Sequence, residues 1–165
     1  MASYAAFLRG VMNVKMAELA RGYEQAGFED VATVAASGNV VFRAKGTLAA
    51  IEKRAETATR FTPFVRPIAE LRELLDRDPF ARFDLPRDAR RVVSFLRVAP
   101  AKKPKLPVSR EQATIYALAG REVLTAYVRQ PGNPVFMTLI ENTFGADVTT
   151  RTWETIARVV AKAPG

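Results

Sequence analysis

Ser-Gly-Asn-Val-Val-Phe, residues 37–42, is the stretch of sequence that decides the fold. An apolar run ends just before it at Ala36, and its own last three residues are apolar again. Gly38 and Asn39 belong to the two residue types that adopt positive φ at the lowest cost, so the segment predicts a hairpin with a tight two-residue turn. Two neighbouring antiparallel strands are therefore expected early in the chain.

The first half alternates between strand and helix patterns around that hairpin. The predicted elements are a strand at Tyr4–Leu8, a helix over 14–26 capped by Asn13, the hairpin, a helix to about residue 60 capped by Thr47, a strand over 61–65 and a helix over 67–77. The order strand, helix, strand, strand, helix, strand predicts a ferredoxin-like split βαβ subdomain, with two helices on one face of a four-stranded sheet.

The second half repeats this plan less regularly. The predicted elements are a strand over 92–98, at most a helical turn or two at Ser109–Ala113, a hairpin joining 114–118 to 123–128, a helix introduced by Asn133 and Pro134, a strand over 149–151 and a last helix capped by Thr152. Three prolines between residues 100 and 107 exclude a regular helix there. We therefore predict an α+β protein of two ferredoxin-like subdomains with antiparallel sheets, at 1–78 and 92–165, joined by a linker over 79–91.

The composition excludes several classes of enzyme. The chain has 165 residues and contains neither cysteine nor histidine. Without these side chains there is no Ser-His-Asp triad, no cysteine nucleophile and no thiolate or imidazole metal site. We expect no cofactor and no metal. The sequence shows no signal peptide and no apolar run long enough to span a membrane, so we expect a cytoplasmic protein without a membrane partner.

The positive charge is concentrated in one stretch. Between Arg82 and Arg110 there are nine Lys and Arg residues and two Asp residues, within a chain of net charge +8. Such a surplus is typical of a surface that binds nucleic acid or another polyanion. The candidate residues for this surface are Arg90, Arg91, Arg97, Lys102, Lys103 and Lys105. The alternative is a solvated linker with one basic strand face, because few aromatic residues are interleaved with the cations.

Four motifs together resemble a bacterial protein family. They are Leu8-Arg9-Gly10, Lys15-Met16-Ala17-Glu18-Leu19, the stretch over 37–42, and Thr149-Thr150-Arg151-Thr152-Trp153. In this order they resemble the family catalogued as domain of unknown function sixteen ninety-seven. The resemblance implies two ferredoxin-like subdomains and leaves the activity open. The chain departs from the family pattern at two places. The glycine-rich stretch that usually follows the first strand is shortened to Gly10, and the Gly-Arg-Ser-Lys type sequence often found before the penultimate helix is absent from 132–136.

The polar members of these motifs form a second candidate site. They are Arg9, Ser37, Asn39, Arg151 and Trp153. If they converge, two guanidinium groups beside an indole could hold a small anion or a base. The structural alternatives are turn geometry for Asn39, backbone capping for Ser37, core packing for Trp153 and a carboxylate partner for Arg151.

The sequence thus favours a binding protein for an anionic ligand or nucleic acid, acting through a basic surface without catalysis. One alternative is a small-molecule enzyme that uses Arg9, Arg151 and a carboxylate in a cleft between the two halves. Another is a module that forms a homodimer through an exposed sheet edge.

Overall fold

The structure is a computed structural model that describes residues 1–132 and 134–165. The chain divides into two units, each of which contains one antiparallel sheet. Unit 1 consists of Met1–Arg77 and Glu154–Gly165, and unit 2 of Asp78–Trp153. The α+β class with two antiparallel sheets is therefore confirmed.

Unit 1 is built on a four-stranded sheet with the order β2-β3-β1-β4. Its elements are β1 Ala2–Leu8, α1 Met16–Gln25, β2 Glu29–Val34, β3 Asn39–Ala44, α2 Leu48–Glu56, β4 Pro63–Pro67 and α3 Ile68–Arg77, together with most of α5 Trp153–Lys162. Helix α3 contacts β1 and β4. The two central strands, β1 and β3, are buried almost throughout.

The core on one face of this sheet is aromatic. Alternate residues of β1 and β3 point to the same face, and their buried side chains pack with α1 and α2. Phe42 of β3 contacts both Tyr23 and Phe28, with ring centroids 5.5 and 4.3 Å away, and those two rings also contact each other. Burial of such rings is the main source of stability in a sheet of this size.

The hairpin between β2 and β3 differs from its predicted geometry. Its turn has four residues, 35–38, because Val34 pairs with Asn39 across the strands. Positive φ falls on Ala35 and Gly38, whereas Asn39 is the first, fully buried residue of β3. The prediction of a two-residue turn at Gly38 and Asn39 is therefore wrong. The Asn39 amide Nδ2 donates to the Val34 carbonyl at 2.8 Å and to Ser37 Oγ at 2.9 Å, which closes the longer turn.

Of the two predicted helix caps of unit 1, one is confirmed and the other is wrong. Thr47 is confirmed as the N-cap of α2, since its Oγ1 accepts a hydrogen bond from the Ala50 backbone N–H at 3.2 Å. Asn13 does not cap α1, because the helix starts at Met16 with Lys15 at the N-cap position. Asn13 instead has a φ of 55°, a conformation that asparagine tolerates better than most residues.

Unit 2 is built on a five-stranded sheet with the order β6-β7-β8-β5-β9. Its elements are a short 3₁₀ helix at Pro79–Arg82, β5 Arg90–Leu96, β6 Val108–Arg110, β7 Ala113–Ala119, β8 Glu122–Tyr127, α4 Val135–Phe144 and β9 Val148–Thr152. A core of buried residues from the strands and from Leu139 and Ile140 of α4 covers one face of the sheet.

Two predictions for unit 2 need correction, and one falls outside the described residues. The helical turn expected at Ser109–Ala113 is absent, because Val108–Arg110 pairs with β7 as an edge strand. Thr152 lies directly before α5, the position predicted for its cap, and is also the last residue of β9. Pro134 occupies the N-cap position of α4 rather than its first turn, and the predicted cap Asn133 lies outside the described residues.

The boundary between the units also differs from the predicted one, because the sequence pattern places all of 92–165 in the second subdomain. Glu154–Gly165 belongs to unit 1, where Ser3 Oγ of β1 donates to the Pro164 carbonyl at 2.6 Å. The expected linker over 79–91 contains the 3₁₀ helix and the first residues of β5. Within the ranges 1–132 and 134–165, no helix has both the length and the apolar character needed to cross a membrane.

Candidate functional site

The basic stretch lies on unit 2, and most of its cations face solvent. Of the nine Lys and Arg residues between Arg82 and Arg110, seven are exposed and two are half-buried. The half-buried residues are Arg91 and Arg97. The exposed residues, which we call the basic surface, are Arg82, Arg87, Arg90, Lys102, Lys103, Lys105 and Arg110.

The two half-buried arginines are engaged in the fold. Arg91 Nη1 lies 3.8 Å from Asp78 Oδ1, and the Arg91 guanidinium lies 5.3 Å from the centre of the Trp153 ring. Trp153 in turn meets the edge of Phe80, with ring centroids 5.4 Å apart and an interplanar angle of 87°. The indole is only 8% exposed. This cluster is typical of packing that fixes the start of β5.

Arg97 makes the corresponding contacts directly after the other end of β5. Its Nε lies 3.5 Å from Asp147 Oδ2, and its carbonyl accepts a hydrogen bond from Arg121 Nη1 at 3.0 Å. Both arginines were sequence candidates for polyanion binding together with the exposed cations. Their carboxylate partners reduce the charge that they can offer to a ligand.

The basic surface, by contrast, is not neutralised by the protein. In the described part of the chain, none of its seven residues takes part in an ion pair. The loop lysines Lys102, Lys103 and Lys105 lie in the irregular segment between β5 and β6, where prolines restrict the backbone. Seven unpaired cations on a unit of this size create a positive potential that attracts anions.

Strand register brings two cations of the basic surface into one row. Arg90 pairs with Tyr127, Tyr127 pairs with Ala113, and Ala113 pairs with Arg110. Residues paired directly across antiparallel strands project from the same face of the sheet. Arg90 and Arg110 therefore project from the face that packs against α4, on either side of Ala113 and Tyr127.

A cavity of about 220 Å³ adjoins this row. Its lining includes Gln112, Ala113, Tyr127, Arg129, Gln130 and Phe136. None of these residues is a candidate from sequence alone, because they come from three separate elements that only strand register and the start of α4 bring together. The polar pair Arg129-Gln130 before Pro131 and Gly132 is the only sequence signal that marks the place.

Two of the first-half motif residues, Asn39 and Ser37, take part in the hairpin turn. Asn39 is fully buried, and its amide closes the hairpin turn through the contacts described above. Ser37 is exposed and accepts one of those hydrogen bonds. Arg9 is exposed directly after β1, where its backbone N–H donates to the Thr62 carbonyl at 3.0 Å. Arg9 belongs to unit 1, and Arg151 and Trp153 to unit 2.

Arg151 is a buried cation held by hydroxyl and carbonyl oxygens. It is 7% exposed, and its Nη1 donates to Thr149 Oγ1 at 2.8 Å and to the Thr150 carbonyl at 2.9 Å. Burial lowers the pKa of the guanidinium to about 10, so the side chain stays protonated at neutral pH. These hydrogen bonds offset part of the free-energy cost of removing the charged guanidinium from water.

Unit 1 has a cavity of its own, of about 270 Å³, between α1 and the segment after α2. Arg60 lies there with its guanidinium 4.5 Å from the centre of the Phe61 ring. Over 1–132 and 134–165, no group of three or more acidic side chains is placed to hold a metal ion.

Comparison with known proteins supports the fold. The family described as "Protein of unknown function (DUF1697)" matches residues 1–123. A solved structure, the conserved bacterial protein SP0830 from Streptococcus pneumoniae, is similar with a TM-score of 0.71 and 18% sequence identity. The similarity covers 98% of this chain and 97% of that one. No curated protein matches the chain.

Proposed function

This chain belongs to the DUF1697 family of proteins of unknown function, and from that premise we propose that it binds nucleic acid or another anionic ligand through unit 2. In this proposal the protein is a binding protein and catalyses no reaction. The observation that carries the proposal is the basic surface, whose seven exposed cations take part in no ion pair within the described residues.

The charge arrangement supports binding of an extended polyanion. Arg90 and the loop lysines are separated by the length of β5, about 20 Å for seven residues. A small anion contacts only one such group, whereas a phosphate chain can contact both. Each phosphate neutralised by Lys or Arg releases condensed counterions, which provides most of the affinity at low salt.

The finer fold assignment is part of the same proposal. Both sheets contain the relative strand order expected for a ferredoxin-like subdomain, β2-β3-β1-β4 in unit 1 and β7-β8-β5-β9 in unit 2. Unit 1 has a helix after its first and third strands. Among its described residues, unit 2 has one complete α-helix, α4, and the proline-containing segment with β6 stands between its first two matching strands in place of a helix. That replacement is what places the loop lysines on the surface.

The two alternatives from the sequence stay predictions. An enzyme that uses Arg9 and Arg151 gains no support from Arg151, whose Nη1 donates to Thr149 and Thr150. Formation of a homodimer through a sheet edge can be tested by measuring the apparent mass of the protein in solution.

The proposal is tested by titrating labelled mixed-sequence oligonucleotides, single- and double-stranded, at about 50 and 200 mM salt. The test variant combines Lys102→Ala, Lys103→Ala and Lys105→Ala. The matched control combines Lys45→Ala, Lys53→Ala and Lys162→Ala, three exposed lysines of unit 1 that change the net charge equally.

We expect wild-type binding to weaken steeply with salt. Replacing the loop lysines should weaken binding further and reduce the slope of log K against log salt by about 2 to 3. The control should bind like the wild type. An equal loss in both variants would show that only net charge matters, and no binding at the lower salt would overturn the proposal.

A further inference from the structure

The cavity beside the Arg90–Arg110 row has two aromatic rings in its lining. Tyr127 and Phe136 stack with centroids 4.0 Å apart and an interplanar angle of 10°. Both are half-buried, and both line the cavity. Offset stacking is one of the two arrangements that aromatic rings prefer. A flat ring that enters the cavity can therefore extend this pair by one layer.

The polar lining suits the edge of such a ring. Gln112 and Gln130 each carry an amide oxygen that accepts and an amide nitrogen that donates two hydrogen bonds. Gln112 is fixed at the β6–β7 turn because its carbonyl accepts the Val128 backbone N–H at 2.9 Å. Nucleobases present mixed donors and acceptors along their edges, which amide groups complement.

The volume limits what can enter. At about 220 Å³ the cavity is smaller than the roughly 300–1,000 Å³ of sites for drug-sized ligands. It has room for one ring system but not for a sugar and phosphate as well. The rest of a nucleotide must therefore lie at the rim.

The rim is where the cations are. Arg129 lines the cavity and is exposed, and the register places Arg90 and Arg110 on the same face, opposite Tyr127 and Ala113. A guanidinium binds phosphate oxygens through two parallel hydrogen bonds, so Arg129 suits the phosphate of a nucleotide whose base is inside, and Arg90 and Arg110 add positive charge on the same face of the sheet.

We propose that this cavity binds one unpaired nucleotide, with its base stacked on the Tyr127–Phe136 pair and its phosphate held by Arg129, next to the positive charge of the Arg90–Arg110 row. This inference rests on the proposed function and narrows its ligand to unpaired nucleotides. The base of a duplex is not accessible in this way, so single strands bind in preference to double strands. The source of the nucleotide is a single strand or a free mononucleotide.

The test uses the full chain and three probes: a labelled oligothymidylate, a labelled abasic oligomer of the same length, and thymidine monophosphate as competitor. We expect Tyr127→Leu to weaken oligothymidylate binding about tenfold and to leave abasic binding unchanged, because stacking on the ring is lost while the backbone contacts remain. Arg129→Gln should weaken both. The matched control is Tyr116→Leu, which removes a half-buried ring that packs on Phe83 and does not line the cavity.

The outcomes separate this inference from the function on which it rests. Equal wild-type affinity for the oligothymidylate and the abasic oligomer would overturn the base site and leave polyanion binding intact. No binding of either oligomer or of the mononucleotide would overturn both. Displacement by thymidine monophosphate indicates a free nucleotide as the source, and oligomer binding that it does not displace indicates a strand.

A wild-type measurement covers the case in which Tyr127→Leu does not fold. A strand that carries 2-aminopurine should lose fluorescence on binding, because the base stacks on the aromatic pair. Unchanged fluorescence in the bound strand would contradict the proposal.

Discussion

Gly38→Ala is the substitution that tests the hairpin most sharply. Gly38 has a φ of +85°, and its carbonyl accepts the Leu8 backbone N–H at 2.9 Å. A Cβ added at this position would lie 2.4 Å from Val11 Cγ2 and 3.0 Å from Val11 Cβ. The substitution therefore introduces both backbone strain and a steric clash with the segment after β1.

The two costs can be estimated separately. A non-glycine residue in the left-handed region loses about 1–2 kcal/mol. Overpacking against a well-ordered neighbour adds about 1–3 kcal/mol. We expect Gly38→Ala to lower the free energy of unfolding by about 2–5 kcal/mol in total.

Gly10→Ala is the matched control for strain alone. Gly10 has a φ of +68°, and nothing lies within 4 Å of its added Cβ. It should cost only about 1–2 kcal/mol. Urea unfolding followed by circular dichroism measures both values, and the variants should share one m-value.

A second comparison isolates the contact with Val11. In a Val11→Ala background, the cost of Gly38→Ala should fall toward that of Gly10→Ala, because the clashing Cγ2 atom is gone and the 3.0 Å approach to the Cβ of residue 11 is the closest contact left. The reasoning is refuted if Gly38→Ala costs no more than Gly10→Ala, or if removing the Val11 side chain does not reduce its cost.

Four further substitutions test other parts of the fold. Thr125 is fully buried and its Oγ1 has no hydrogen-bond partner in the described structure, so Thr125→Val should raise the free energy of unfolding by about 1 kcal/mol. Thr149→Val should instead lower the free energy of unfolding by about 1–3 kcal/mol, because Thr149 Oγ1 accepts a hydrogen bond from buried Arg151. Urea unfolding measures the change for both threonine variants. Changes of the same sign would contradict the different roles given to the two hydroxyl groups. Burial raises the pKa of Tyr23 above its ordinary value of 10.0, so the folded state keeps a proton that the unfolded state loses, and stability falls as pH rises above 10.0. Tyr23→Phe should remove up to about 1.4 kcal/mol per pH unit from that alkaline slope, and an identical slope in both proteins would be evidence against it. Thr47→Ala removes the N-cap of α2 and should cost about 1 kcal/mol in the same unfolding assay, where no change would show that the cap is dispensable.

Local signals in the sequence were sufficient where one residue decides a local structure. The Thr47 cap is confirmed because a threonine before an apolar helical stripe has one favourable arrangement. The motifs that suggested the family also identified it correctly. The class of fold followed from the alternation of strand and helix patterns, which survives small errors in boundaries.

Predictions failed where tertiary contacts decide between local alternatives. Gly38 and Asn39 permit a two-residue turn, but the buried Asn39 amide is used for hydrogen bonds that close a four-residue turn. Ser109 and its neighbours pair with β7, an interaction between segments that no single stretch reveals. The Arg90–Arg110 row and the cavity beside it depend on the register of four strands, which the sequence does not specify in advance.

Amide chemical-shift mapping by NMR tests the central claim most directly, in a protein whose 18.2 kDa mass suits the method. The uniformly labelled protein is titrated with a short single-stranded oligonucleotide at about 50 mM salt, where phosphate contacts are strong. The account predicts that perturbed amides cluster in unit 2, at Arg90, Arg110, the loop lysines and Arg129. Perturbations confined to unit 1 around Arg9 and Ser37, or no perturbation at all, would contradict it.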